Sequence, residues 1–159
     1  MPAPPFTPPP RWTPVQPFPD LAASRSFVSS DPGGDRLRVA YFRIPDEDRL
    51  LARAWFGPGA EGPPRAAHGG SVAAILDEAM GGVCWMNGHH VVAARIGITF
   101  LHMVPLGTDA TVEAWLDLVD GRKVTARARL LDDAGTVLAE GDGLFIVLPP
   151  GRFAEMSKG

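Results

Sequence analysis

One stretch of this chain reads as helix, and nearly everything around it reads as strand. In "GSVAAILDEAMGGVCWM" (70–86) apolar residues recur three and four apart, and Asn87-Gly88 supplies a stop. On the N-terminal side, "LRVAYFRI" (37–44) and "RLLARAWF" (49–56) form a hairpin pattern around "PDED". Four strand-like runs follow the helix: residues 91–101, 110–119, 123–131 and 136–148. A helix this apolar cannot stand in water, so a sheet has to enclose it. The expected architecture is α+β, ordered ββ-α-ββββ, with one long apolar helix wrapped by a roughly six-stranded antiparallel sheet.

Turn chemistry supports the strand assignments. Residues 57–67, "GPGAEGPPRAA", are loop, Asp120-Gly121 is a hairpin signal, and "DDAG" (132–135) is another turn. Val124, Ala126, Ala128 and Leu130 alternate with Thr125, Arg127 and Arg129, the pattern of a half-buried strand. The first twenty residues hold nine of the 17 prolines. Such a segment forms neither a helix nor an interior strand. Phe6, Trp12 and Phe18 are its candidates for pinning to the body. The chain therefore divides into a Pro-rich tail (1–32), a domain (33–149) and a short C-terminal tail (150–159).

Composition removes several function classes. With 45% hydrophobic and 21% charged residues, the chain has the profile of a soluble globular protein. A net charge of −3 and the lack of a basic stripe argue against a nucleic-acid partner. No apolar run is long enough for a membrane span, and no secretory signal is expected at the N-terminus. Cys84 is the only cysteine, which excludes an internal disulfide and fits a reducing cytoplasm. His89-His90 sit beside a turn without acidic companions, so no metal site is expected.

The helix carries the chemistry. At about 100° per residue, Val72, Ile75, Leu76, Ala79, Val83 and Met86 fall on one side, assigned to the sheet. Asp77 lies nearly opposite, beside Gly70, Ala73, Ala74, Met80, Gly81 and Cys84. Solvent faces usually carry Lys, Glu or Gln; small residues here leave room for another subunit or a slender ligand. Between positions 66 and 88 there is no Lys or Arg to pair with Asp77 or Glu78. A carboxylate in an enclosed slot is costly unless it is hydrogen-bonded or used. Burial should raise its pKa and nearby amide donors should lower it again.

His68-Gly69-Gly70 opens the helix. Glycines there allow close backbone approach, and free N–H groups at a helix N-terminus favour a developing negative charge. The same residues also suit a plain turn in which His68 caps or packs.

The stretch "HGGSVAAILDEAMGG" resembles the His-Gly-Gly…Asp signature of hotdog-fold acyl-CoA thioesterases, particularly the PaaI-like branch. "GGDRLRVAYF" before it, "ARIGITFLHMVPLG" after it and "AEGDGLFIVLP" near the end follow in the family's order, covering residues 33 to 149. The resemblance implies a hotdog fold, sheets joined edge to edge in a homodimer or a dimer of dimers, and active sites between subunits. It puts Asp77 at the catalytic acid, as nucleophile or general base. Gly69 falls where a backbone N–H polarises the thioester carbonyl, with His68 beside it. Gly70, Glu61, Ala93 and Glu78 fall on the substrate side. The substrate is an acyl-CoA, coenzyme A entering only as part of it, and the family needs no cofactor or metal.

The sequence also departs from the pattern. Ala93, sixteen residues after Asp77, stands where many relatives carry Ser or Thr. Gly62, next to Glu61, replaces a polar residue, and His102-Met103 replaces an Arg-Pro. Two other functions therefore stay open. One is a non-catalytic acyl-CoA or small-ligand binding module. The other is a hotdog dehydratase using His68 and Glu78. Arg53, Arg127 and Arg129 are expected on outward sheet faces, solvated or facing CoA phosphates.

Overall fold

The computed structural model describes residues 6–19 and 25–158. Helix α1 runs Gly69–Met86, ends on Asn87, and is followed by Gly88 at φ 84°, the left-handed conformation that closes helices. Around it lie strands β1 (Thr13–Pro14), β2 (Leu37–Arg43), β3 (Leu50–Phe56), β4 (Val91–Phe100), β5 (Asp109–Asp120), β6 (Lys123–Leu131) and β7 (Val137–Val147), with a last short helix α2 (Arg152–Met156). They form one antiparallel sheet in the order β1-β2-β3-β5-β6-β7-β4. The sheet curls around α1, which touches β3, β4, β5, β6 and β7. This is the hotdog architecture, with seven strands rather than six.

The seventh strand comes from the proline-rich tail. Thr13 and Pro14 pair with Arg43 and Phe42, and Trp12 packs its ring 5.7 Å from that of Phe42. Proline lacks the N–H a central strand needs, so this pairing is confined to the sheet edge. Further along, Phe18 lies 6.2 Å from Trp85, which also meets Phe153 of α2. Phe18 and Phe153, one from each flank of the domain, thus settle against Trp85 in the C-terminal half of α1.

Alternation holds in the middle of the sheet. Val124, Ala126, Ala128 and Leu130 are buried against α1, and their alternates face outward. The β5–β6 turn is Gly121-Arg122, one residue later than Asp120-Gly121, because Asp120 pairs with Lys123. Gly121 takes φ 57°, which suits the first central position of a two-residue hairpin turn.

The buried arc of α1 is wider than a wheel suggests. Met80 and Cys84 belong to the core, not to the Asp77 face. Gly141 and Gly143 of β7 leave a trough that Met80 fills; a Cβ on Gly141 would sit 3.2 Å from the Met80 methyl. Burial pushes the Cys84 thiol up to about 12. The open part of the Asp77 face shrinks to Gly70, Ala73, Ala74 and Gly81.

Candidate active site

The start of α1 is wired through His68. Its backbone is extended (φ −61°, ψ 138°) and its ring Nδ1 accepts the Gly70 N–H at 2.8 Å. Its carbonyl accepts Ser71 N–H at 2.9 Å and Val72 N–H at 3.3 Å. Gly69 N–H is left without a partner among the described residues, so of the two glycines it is the free donor and Gly70 is not. His68 acts as the cap, the plainer of the two sequence readings. Phe100 of β4 lies over Gly69, where a Cβ would come 3.2 Å from the ring.

The preceding loop is pressed against this turn. Glu61 Oε1 accepts the Arg65 N–H at 2.8 Å while Arg65 holds a left-handed φ of 64°. A Cβ on Gly62 would fall 2.7 Å from His68 Cα, so position 62 has no space for a polar side chain. Glu61, His68 and Gly70 line one shallow cavity with Phe27, Arg36 and Ser71.

Asp77 lies in a different cavity, of about 260 Å³, with Ala74, Gly81, Ala93 and Phe145. Ala93 is therefore near the acid, as its spacing suggests, and offers it no hydrogen bond. No described residue donates one either, so the expected amide donors are missing. The Asp77 pKa is raised, first by burial and second by the neighbouring Glu78 charge.

Glu78 is turned toward β2 and the tail. Tyr41 Oη donates to Oε1 at 2.6 Å, and the Ser26 hydroxyl donates to Oε2. Burial, followed by the Glu78 charge, lifts the Tyr41 phenol well above its usual value. Sequence reasoning missed both donors. Tyr41 had one signal, being the only tyrosine. Ser26 had none.

Positions 69 and 77 are eight residues apart, about 12 Å along the helix axis. A thioester carbonyl must lie within about 3 Å of both its attacker and its oxyanion donor. One chain therefore presents two candidate half-sites, the Gly69 N–H and the Asp77 carboxylate, too far apart to meet the same carbonyl. The arginines contribute to neither half. Arg53 pairs with Asp109 at 3.0 Å, Arg127 with Asp117 at 3.3 Å and Arg129 with Glu113 at 2.7 Å. His90 stacks on Trp85 at 4.4 Å.

A helix wrapped by an antiparallel sheet is the hotdog arrangement, and on it Gly69 opens the helix while Asp77 has no hydrogen-bond donor among the described residues. The thioesterase superfamily model matches residues 66–139, spanning both half-sites. Acyl-coenzyme A thioesterase THEM4 of Bos taurus is 31% identical over 132 residues, 82% of this chain and 54% of its own. Acyl-coenzyme A thioesterase THEM5 of Mus musculus is 29% identical over 72% of this chain and 47% of its own. The chain spans about half the length of these curated relatives. Among solved structures, the E. coli PaaI protein from the phenylacetic acid degradation operon shares the fold, with a TM-score of 0.65 at 17% identity over 70% of this chain and 80% of that one. The chain is thus similar to the thioesterase superfamily across residues 66–139 and shares the hotdog fold.

Proposed function

We propose that this protein hydrolyses acyl-CoA thioesters, with Asp77 as the acid of the site. The observation that carries the reading is Asp77 itself: a half-buried carboxylate without a hydrogen bond from any described residue and with a raised pKa. A stronger carboxylate base is better matched to taking a proton from water near neutral pH. Water then adds to the thioester carbonyl carbon as Asp77 takes its proton. The oxygen turned anionic meets the Gly69 N–H at the positive end of α1. The C–S bond breaks, the thiolate recovers a proton, and free acid and CoA leave. Direct attack by Asp77 is the variant route, through a mixed anhydride of Asp77 and the acyl group that water then opens; mass measurement of the protein quenched during turnover separates the two, because only direct attack leaves the acyl group on Asp77.

The half-sites meet only across two subunits. β4 leaves its outer edge unpaired, and Val92, Ile96, Phe100 and Leu101 are exposed along it at 45%, 37%, 55% and 47%. Neither lysine nor proline interrupts the strand; Arg95 and the register shift between Ala93 and Arg95 lie in its first half, and the pairing is regular from Ile96 to Phe100. A second copy pairing there would carry its Phe100 and Gly69 towards Asp77. The protein is thus proposed to be a homodimer with two composite sites.

Glu78 already accepts Tyr41 and Ser26, which counts against the dehydratase reading. Ala93 keeps the binding-module reading alive, since it withdraws a polar helper. Incubation with a panel of acyl-CoAs and a thiol reagent decides between them. Release of CoA dependent on Asp77 is the expected result, and tight acyl-CoA binding without release overturns the hydrolase. Light scattering at micromolar concentration should report a dimer or larger; a monomer would remove the composite site.

A further inference from the structure

Beneath the proline-rich segment lies a cavity of about 620 Å³, within the usual size range of small-molecule sites. Among the described residues its apolar lining includes Phe18, Trp85 and Phe153, and its polar lining includes Ser26, Tyr41 and Glu78. It adjoins the Asp77 cavity, and Phe18, Glu78, Trp85 and Val91 belong to both walls. A group leaving Asp77 along α1 therefore meets Glu78 next. Tyr41 and Ser26 fix that carboxylate, one on each oxygen, and each oxygen retains a further lone pair.

We propose that this cavity takes the far end of the acyl group, and that Glu78 selects acyl groups ending in an uncharged hydrogen-bond donor. The inference rests on the thioesterase reading above. A methyl-ended acyl chain would strip water from Glu78 and return nothing, which is the situation in which a polar site rejects an analogue lacking a hydroxyl. A carboxylate-ended chain would face Glu78 with like charge in a partly dry cavity. A hydroxyl replaces the lost water bond while its carbon chain covers Trp85 and Phe153. The tail contributes the roof, so residues outside the family match at 66–139 help set the preference.

The test compares three CoA thioesters of equal length: ω-hydroxyhexanoyl, hexanoyl and adipoyl. For the intact protein, kcat/KM should be about tenfold higher for the hydroxy compound than for hexanoyl-CoA, and about 100-fold higher than for adipoyl-CoA. Glu78→Gln should bring all three within about threefold of one another, chiefly through KM. Equal rates for hydroxy and plain hexanoyl-CoA in the intact protein would overturn the inference without any variant. So would a preference that survives Glu78→Gln. If no thioester is cleaved, the hydrolase reading fails, and calorimetric titration of the same three compounds still decides the selection by their Kd ratios.

Discussion

Glu78 accepts hydrogen bonds from Tyr41 and Ser26, whereas Asp77, one residue earlier on α1, accepts none from the described residues. A helix turns about 100° per residue, so adjacent acids enter different worlds. Glu78 faces β2 and the tail, where hydroxyls can reach it. Asp77 faces Ala74, Gly81 and Ala93, where nothing can donate. On the proposed reading, a carboxylate is kept reactive by withholding partners from it. A carboxylate held by two donors has less to gain from taking a proton.

The largest expected effect follows from that contrast. Asp77→Asn keeps shape and removes the proton acceptor, so CoA release should fall by about 10³-fold while acyl-CoA binding persists. Glu78→Gln, assayed on the same short unsubstituted thioester, should cost less than about tenfold. Steady-state kinetics on both variants decides it; a larger loss at Glu78 would reverse the assignment of roles.

The next effect is at the other half-site. The first helical position tolerates proline, and His68 at ψ 138° already has the extended conformation that a following proline requires. Gly69→Pro therefore deletes one N–H with little insult to the helix. Turnover should drop by about 10²-fold with the melting curve nearly unchanged. Gly69→Ala adds a comparable Cβ against Phe100 but keeps the N–H, and separates crowding from the lost donor. If the alanine variant were as slow as the proline variant, crowding would explain both and the oxyanion role would fall.

These residues show what the chain discloses of itself. The succession of elements from β2 to β7, the helix limits and the Asp77 position follow from periodicity and turn chemistry, which are local; the sheet order that sets β4 beside β7, and the extra strand β1, do not. The burial of Met80 and Cys84 depends on the trough left by Gly141 and Gly143, some sixty residues away in sequence, and a helical wheel cannot see it. The Tyr41 and Ser26 bonds to Glu78 join segments 37 and 52 residues apart, so no motif announces them. The free Gly69 N–H was legible only as one of several, because His68 could have turned its ring elsewhere.

A pH profile probes the contrast more gently. Asp77 must be ionised to act as base, and its pKa lies above the usual 3.8 for burial and for the nearby Glu78 charge. The acid limb of kcat/KM should fall at a correspondingly higher pH than an ordinary aspartate would give. Glu78→Gln removes one of the two causes and should move that limb to lower pH. A limb that stays in place would mean that Asp77 is not the group being titrated.

The smallest effect is on stability, and its sign is the sharpest divider between the two acids. The folded state raises the Asp77 pKa, so it holds that proton more tightly than the unfolded chain does. Between the unfolded value near 3.8 and the raised folded value, stability must then fall as pH rises, and above that window the full cost of the bare carboxylate is present. Asparagine carries no such cost. Asp77→Asn should therefore match the natural protein below the window and melt at a higher temperature above it. Glu78→Gln should go the other way, because Tyr41 and Ser26 exchange a charged acceptor for a neutral amide, a loss of about 1 kcal/mol. Thermal melts at neutral and acid pH measure both. Shifts of the same sign at neutral pH would show that the two carboxylates do not differ as their surroundings say, and would remove the basis for treating Asp77 as the reactive one.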